Sequence, residues 1–385
     1  MEQIKGGRKY ALIGPMGSGK SSLARKLTSG GVYDTDAEFV RRYGAIDEFF
    51  AERGESEFRR LEQEIMIDAA ASGAKAVATG GGAVLNRKGM NALRKNYTVV
   101  YLTAPEDVLE SRIKKSNRPL KNDLHEILEK RKPLYERYAD YTVDSSVDSY
   151  RAFIRATNSP RKNRYDVVLC DVDETLLDFT AASKKSIAET VSAMGLMTDV
   201  EKAQAAFFQA TGEVWKKIER GLLTRDELLA ERVQRMSELM GERVDESAFN
   251  VHYTEAMRGT RFVLDGAAEF LKKLRERRIS CYCITNGFSF IARERIKPLL
   301  PYIDGCFISE ELGVYKPSKL FFDKVFARIG FPDKERTIVI GDSETSDISG
   351  GVGYGTDTCL FDTSGQKTTA ADFSARTYDE ILSIL

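Results

Sequence analysis

The stretch GPMGSGKS, Gly14 to Ser21, follows an apolar run, YALI, and opens a helix-forming segment, SSLARKL. A glycine-rich turn between strand and helix that closes on lysine and serine is the pattern of a phosphate-binding loop. The predicted nucleotide site comprises Gly14, Gly17, Ser18, Gly19, Lys20, Ser21 and Ser22. Its glycines let backbone N–H groups turn inward on phosphates, Lys20 can reach the β and γ phosphates, and Ser21 can ligate Mg²⁺. The implied co-substrate is ATP. Asp34 and Asp36, in VYDTDAEF, end a second strand candidate. Residues two apart on a strand face the same side, so one carboxylate can hold hydrated Mg²⁺ and the other a substrate hydroxyl. The same pair also fits a helix N-cap followed by a first-turn acid.

A second set of acids stands in the other half of the chain. YDVVLCDVDETLLDF places Asp171 and Asp173 at the end of a buried strand candidate, where ligands bind in open parallel sheets. One carboxylate can attack while its neighbour handles protons. CITNG adds Thr285 and Asn286, GVYKP adds Lys316, and TIVIGDSETSDISGG adds Asp342 and Asp347. Four strand ends thus deliver acids, a hydroxyl and a lysine. The sole histidines are His125 and His252, and the five cysteines include no CxxC pair. Any metal here should therefore be a hard cation held by carboxylates.

Positioning these groups requires strands with alternating helices. Apolar runs at Lys9 to Ile13, Gly31 to Tyr33, Ala76 to Thr79 and Thr98 to Leu102 are each followed by helix-period segments. The second half repeats the pattern with VVLC, Ile279 to Ile284 and Thr337 to Ile340. Both halves read as α/β with parallel sheets. ATNSPRKNRYD, Ala156 to Asp166, reads as a solvated linker, so the boundary is placed at residues 157 and 158. Residues 180–261 are helical and charged without strand signals, an insertion inside the second α/β domain.

With 385 residues, 42% hydrophobic and 30% charged, the chain is long enough for two or three cores and lies outside disordered compositions. Lys plus Arg and Asp plus Glu both number 58, so nothing global suggests a nucleic-acid binder. No run of about 18 apolar residues and no secretory leader is visible, and the expectation is a cytoplasmic protein with no membrane partner and with small molecules as substrates. The cysteines read as buried free thiols. Trp215 reads as a core residue ahead of a base-stacking one. Oligomeric state is left open by the sequence.

The first half resembles the shikimate kinases. The likeness runs through GPMGSGKSS, DTDAEFVRRYG, GESEFRRLE, ATGGGAV, VVYL, NRPL and KRKPLYERYAD, nearly all of residues 9–145. It implies that Asp34 binds Mg²⁺ through water and that Asp36 contacts the shikimate hydroxyls. It further implies that Arg59 and Arg131 clamp the substrate carboxylate, and that Gly80, Gly81 and Gly82 bring backbone close to substrate. Arg118, in NRPL, would sit on a lid and stabilise the transferring phosphoryl group. Arg59 and Arg60 lie about 100 degrees apart on a helix, so only one can face the site. Two stretches, Ser21 to Asp34 and Arg118 to Arg131, look shorter than the family pattern.

The second half, from about Arg164, resembles the haloacid dehalogenase superfamily of phosphatases. Its DVDET, ITNGF, ISEELGVYKP and GDSETSDISGG wording is similar to the pyrimidine 5′-nucleotidases and their broad-specificity relatives. The resemblance implies Asp171 as the nucleophile forming an aspartyl-phosphate and Asp173 as general acid and base. Mg²⁺ would be held by Asp171, the Asp173 carbonyl and Asp342, with Asp347 beside it. Thr285 and Asn286 would hold phosphoryl oxygens, and Lys316 would stabilise nucleophile and phosphoryl charge.

Together the two likenesses imply a P-loop kinase fold followed by a Rossmann-like core with a helical cap at about 180–261, and a bifunctional kinase and phosphatase. Other readings remain: a kinase for another small polyol acid with a sugar-phosphate phosphatase, or an inactive nucleotide-binding module that regulates the phosphatase.

Overall fold

A computed structural model describes residues 8–28, 30–114, 124–159, 161–219, 222–223 and 225–385. It divides into two compact units, Met1–Asp166 with Glu380–Leu385, and Val167–Asp379. Among the described residues no helix is long and apolar enough to cross a membrane.

The first unit holds five parallel strands, β1 (Tyr10–Ile13), β2 (Val32–Asp34), β3 (Ala76–Ala78), β4 (Thr98–Thr103) and β5 (Tyr141–Asp144), in the order β2-β3-β1-β4-β5. Alternation along the strands feeds two cores. Tyr10, Leu12, Ala76, Ala78, Val100 and Leu102 pack with Leu23, Ala24, Leu27 and Phe153. Ala11, Ile13, Val77, Val99 and Tyr101 pack with Met66, Ala69 and Leu93 on the opposite face. A sheet covered on both faces needs such continuous apolar strands, and β1, buried throughout, ends where the phosphate loop begins. Each fully buried side chain contributes about 1.5–3 kcal/mol, and Leu12→Ala would cost about 2–5 kcal/mol.

The second unit holds six parallel strands, β6 (Val167–Cys170), β7 (Ser280–Thr285), β8 (Gly305–Ile308), β9 (Thr337–Gly341), β10 (Asp357–Phe361) and β11 (Phe373–Ala375), in the order β11-β10-β9-β6-β7-β8. The sequence turns one way from β6 through β7 to β8, and the other way from β9 to β11. Such a switch point leaves a crevice at the strand C-termini. Between β6 and β7 lie the helices Phe179–Met194, Val200–Glu219, Arg225–Met240 and Glu246–Gly259. They share a core of Ala182, Phe207, Val233, Met236, Phe249 and Met257. Helix Phe179–Met194 starts on the Asp178 carboxylate and stops at Gly195 in the left-handed conformation, the usual pair of start and stop devices.

One expectation from the linker is overturned. Arg164 is not a solvated charge: it is 5% exposed and binds Asp140 through Nε and Nη2, both at 2.8 Å. Asp140 also accepts from the Val99 N–H at 2.8 Å. A run of basic residues beside proline reads as a linker only when no buried acid awaits it, and Asp140 lies outside that local window.

Candidate active sites

In the first unit a cavity of about 800 Å³ is lined by Ser21, Asp34, Asp36, Arg59, Gly80, Gly81, Gly82 and Arg131. Its phosphate-loop wall is set by backbone geometry. Gly14 has φ 143°, and a Cβ there would stand 2.3 Å from the Leu102 carbonyl oxygen, so only glycine fits. Helix Lys20–Leu27 starts at Gly19, so its N-terminal turn faces the loop. Lys20 Nζ donates to the carbonyls of Gly14 and Pro15, both at 2.8 Å. Ser21 Oγ donates to Asp34 Oδ2 at 2.5 Å, which brings the two residues expected at Mg²⁺ together.

Asp34 and Asp36 reach the cavity by a different route from the one their spacing suggested. β2 ends at Asp34, whose side chain caps helix Thr35–Tyr43 by accepting from the Asp36 and Ala37 N–H groups. Asp36 is a first-turn helical residue, so strand alternation does not place it. The glycine turn does: a Cβ on Gly80 would lie 2.6 Å from Asp36 Oδ1.

The same turn receives both arginines. A Cβ on Gly82 would lie 2.2 Å from Arg59 Nη1. Arg59 is held by Glu62, 2.7 Å from Nη1, and by Glu55. Its neighbour Arg60 points away, to Glu57 and Glu64 on the outer face. Glu62 is 4% exposed, and burial holds its carboxyl above the ordinary range despite Arg59. Arg131 and Tyr135, one helical turn apart on Leu124–Tyr138, both donate to the Gly81 carbonyl, at 3.2 and 2.5 Å. Arg118 lies outside the described residues.

In the second unit a cavity of about 280 Å³ is lined by Asp171, Asp173, Thr285, Asn286, Lys316, Asp342 and Asp347. Lys316 Nζ donates to Asp171 Oδ1 and Asp347 Oδ1, each at 2.6 Å, and to the Ile284 carbonyl at 3.0 Å. Burial opposes its charge, but the two carboxylates win and raise its pKa. Asp347 also accepts from the Ser343 N–H at 3.2 Å. It comes so near β9 that a Cβ on Gly341 would sit 2.2 Å from Oδ2.

Carboxylate oxygens of Asp171, Asp342 and Asp347 lie within 4.8 Å of one another. Burial, then the Asp347 charge, pushes Asp342 up to about 6. Three crowded hard oxygen donors in a site that resists their charge are what a divalent cation relieves, so the residues fit Mg²⁺. The Asp173 side chain stands apart from this cluster. It is paired with Arg295, whose Nη1 lies 2.5 Å from Oδ1.

Thr285 Oγ1 accepts from the Gly287 N–H at 2.9 Å. Asn286 lines the cavity, yet its carboxamide is engaged both ways with the Lys316 backbone, each bond 3.0 Å. Its side chain therefore positions the lysine. Trp215 also lines the cavity and is only partly buried, which corrects its reading as a core residue. The periodicity of its helix could not separate a cavity wall from a core face.

A shikimate kinase family model matches residues 16–158, and a haloacid dehalogenase-like hydrolase model matches residues 165–355. Over 159 residues the chain is 36% identical to the shikimate kinase of Methylococcus capsulatus, spanning 38% of this chain and 89% of that enzyme. Over 199 residues it is 33% identical to the pyrimidine 5′-nucleotidase PynA of Streptococcus pneumoniae, spanning 51% of this chain and 84% of that protein. The chain belongs to both families, the shikimate kinases in its first half and the haloacid dehalogenase-like hydrolases in its second. It is an enzyme that joins a kinase to a phosphatase. A crystal structure of the Bacillus subtilis protein YfnB, bound to magnesium, aligns with a TM-score of 0.55 and 29% identity over 57% of this chain and 98% of that one.

Sequence reasoning missed two residues of the hydrolase domain. Arg295 and Arg293 look alike in IARERIKP, but Arg293 pairs with Glu311 at the surface while Arg295 is 2% exposed and reaches Asp173. Arg232 lines the hydrolase cavity from helix Arg225–Met240. Nothing in ERVQRMSEL distinguishes it from a solvated helical arginine. In the kinase domain, Tyr135 carried a signal in the PLYERY wording, but its contact with Gly81 needed the fold.

Proposed function

We propose that residues 1–157 transfer the γ-phosphoryl group of ATP to a ring hydroxyl of shikimate, giving shikimate 3-phosphate, and that residues 158–385 hydrolyse a phosphomonoester, by preference a nucleoside 5′-monophosphate. The kinase reading is carried by Asp36, Arg59 and Arg131 lining one cavity beside the phosphate loop. It is supported by the shikimate kinase relatives.

In the kinase, the loop from Gly14 to Ser22 receives the ATP phosphates, and Lys20 exchanges its carbonyl partners for phosphoryl oxygens. Arg59 and Arg131 bind the shikimate carboxylate, since a planar guanidinium matches it in paired hydrogen bonds. Asp36 takes the proton of the attacking hydroxyl as the new O–P bond forms and the bond from Pγ to ADP breaks. Arg118 is assigned to the developing charge. Mg²⁺ held by Ser21 and by Asp34 through water would neutralise phosphate charge.

In the phosphatase, the Asp171 carboxylate attacks phosphorus and the ester P–O bond breaks, with Asp173 giving its proton to the departing oxygen. Water then attacks the aspartyl-phosphate, Asp173 takes its proton, and phosphate leaves. Thr285 and Lys316 hold phosphoryl oxygens, and Asn286 keeps Lys316 in place. Mg²⁺ at Asp171, the Asp173 carbonyl and Asp342, with Asp347 alongside, would offset the repulsion between carboxylate and phosphate. The nucleotide preference is supported by the names of the pyrimidine 5′-nucleotidase relatives and by Trp215 in the cavity wall. Shikimate 3-phosphate should be a poor substrate, because its hydrolysis would make the chain a futile ATPase.

The decisive experiment is conversion of shikimate by the Asp171→Asn protein with ATP and Mg²⁺, the product identified directly. Shikimate 3-phosphate that disappears on adding Lys20→Ala or Asp36→Asn supports the kinase assignment. No product despite ATP binding would overturn it.

A further inference from the structure

Arg232 is out of place by the rules of a protein core. It is 6% exposed on helix Arg225–Met240, beside the rings of Phe207 and Tyr253, which belong to the core those helices share. Among the described residues it has no carboxylate partner. Its Nη2 makes a long hydrogen bond of 3.4 Å to Asn250 Oδ1, and its Nε has no partner at all. The guanidinium lies 4.6 Å from the Phe207 ring centroid and 5.1 Å from that of Tyr253. Such ring contacts return only part of what it costs to withdraw an ion from water. Burial accordingly holds its pKa below the ordinary arginine value.

Among the described residues of this unit, Ser186 Oγ, Thr198 Oγ1 and Arg258 Nε are also buried without a partner, but the other such atoms belong to residues that share one cavity. Arg232, Thr211 and Arg295 all line the cavity that contains Asp171 and Lys316. Arg232 Nε, Thr211 Oγ1, and Nε and Nη2 of Arg295 are all buried without a hydrogen-bond partner. Buried polar atoms are nearly always satisfied in a folded protein, and when several orphans converge on one cavity, a bound molecule is the economical source of their partners. Arg295 is already committed to Asp173 through Nη1. Arg232 has no such commitment. It comes from the helices between β6 and β7, whereas the nucleophile directly follows β6 and Lys316 follows the short helix Ser309–Leu312 after β8. Leu228, Leu229, Trp215 and Ile291 make the rest of the wall around it largely apolar.

We propose that Arg232 is a specificity-determining residue of the phosphatase, donating hydrogen bonds to oxygen acceptors on the leaving group while the sheet holds the phosphoryl group. The acceptors are the ring carbonyls of a nucleobase or a carboxylate, which present the same chemistry to a planar donor fork. This rests on the phosphatase reading above and narrows its substrates to phosphomonoesters whose leaving group carries such oxygens.

The test compares the full-length wild type and Arg232→Met, both with Mg²⁺, on UMP, 3-phosphoglycerate and phenyl phosphate. A structural arginine and a recognition arginine predict opposite stabilities, because replacing an unpaired buried charge with an apolar chain is neutral or stabilising. The expected result is a fall of about 10- to 100-fold in kcat/KM on the acceptor-bearing substrate that the wild type prefers. Phenyl phosphate turnover should stay within about twofold and the Tm should be unchanged or higher. Loss confined to UMP identifies a nucleobase as the source, and loss confined to 3-phosphoglycerate identifies a carboxylate. Equal loss on all three substrates, a lowered Tm, or no change on any substrate would overturn the inference while leaving the phosphatase intact. Absence of phosphate release from all three by the wild type would overturn the phosphatase reading itself.

Discussion

Arg295 donates to Asp173 at 2.5 Å, although 122 positions of chain separate them. The arginine is rooted in helix Ser289–Arg295, directly after the Thr285 loop, and its side chain is 3% exposed. Asp173 follows the end of β6 by three residues, and its backbone is held only by an isolated bridge to Leu177. The pair therefore gives a loop carboxylate a defined direction. Arg295→Gln should lower kcat by about 10- to 100-fold through lost orientation and leave Mg²⁺ affinity little changed, since Asp173 would reach the metal through its backbone carbonyl and not through the side chain that Arg295 holds. Steady-state kinetics alongside a Mg²⁺ titration would check this, and an equal loss of metal affinity would contradict it.

Asp173→Asn should separate leaving groups by their need for a proton. On alkyl phosphates the loss should be about 10²–10⁴-fold, the range of general acid catalysis. p-Nitrophenyl phosphate, whose leaving group departs as an anion, should lose much less in the step that breaks the ester. Comparison of pre-steady-state release from the two substrates reads the difference, and identical losses would argue against Asp173 as the acid.

Crowding of Asp171, Asp342 and Asp347 within 4.8 Å leads to the expectation that Mg²⁺ stabilises the hydrolase domain. At Mg²⁺ near 100 times its Kd, the domain should gain about 2.7 kcal/mol, visible as a raised Tm. Asp342→Asn should remove most of that gain and, by relieving repulsion, raise the Tm of the metal-free protein. A Tm that ignores Mg²⁺ in the wild type would remove the metal site from the mechanism.

Gly82→Ala should injure shikimate binding more than ATP binding. The new Cβ would fall 2.2 Å from Arg59 Nη1, so the guanidinium must move off its Glu62 and Glu55 contacts. The expected result is a KM for shikimate raised about tenfold or more, with the KM for ATP little changed. Two-substrate kinetics on the Asp171→Asn background would show whether both move together, which would point to collapse of the whole cleft.

Asp140 and Arg164 provide a pH-dependent prop for the kinase unit. Burial alone would raise the Asp140 carboxyl, but the charge and hydrogen bonds of Arg164, with Arg161 and the Val99 N–H, hold it below its ordinary value. A lowered folded pKa means that the stabilisation is fully present above the unfolded value of about 4 and is lost as pH falls through the folded one. Asp140→Asn should cost about 3–5 kcal/mol at neutral pH by leaving Arg164 buried and unpaired. The gap from wild type should narrow below about pH 4. Urea unfolding followed across that range would test both the size and the sign.

The sequence by itself determined the features whose chemistry is local. GPMGSGKS places its glycines where backbone must turn, and the same eight residues form the loop wherever a strand and helix flank them. β1, β6 and β9 were legible because strands buried on both faces are continuously apolar. Short strands were harder: β5 and β8, the edge strands YTVD and GCFI, carry too little apolar length to stand out. The choice between Arg293 and Arg295 was decided by tertiary structure alone, because which of two near-adjacent helical arginines faces inward depends on where Asp173 lies. For Arg59 over Arg60 the resemblance had already chosen, and the position of Glu62 gives the physical reason. Arg164 reads as a linker charge because its partner, Asp140, belongs to another element, and Arg232 carries no signal at all because helix periodicity does not reveal a cavity. A side chain's charge is written in the sequence, but its partner and its share of water are properties of the folded chain.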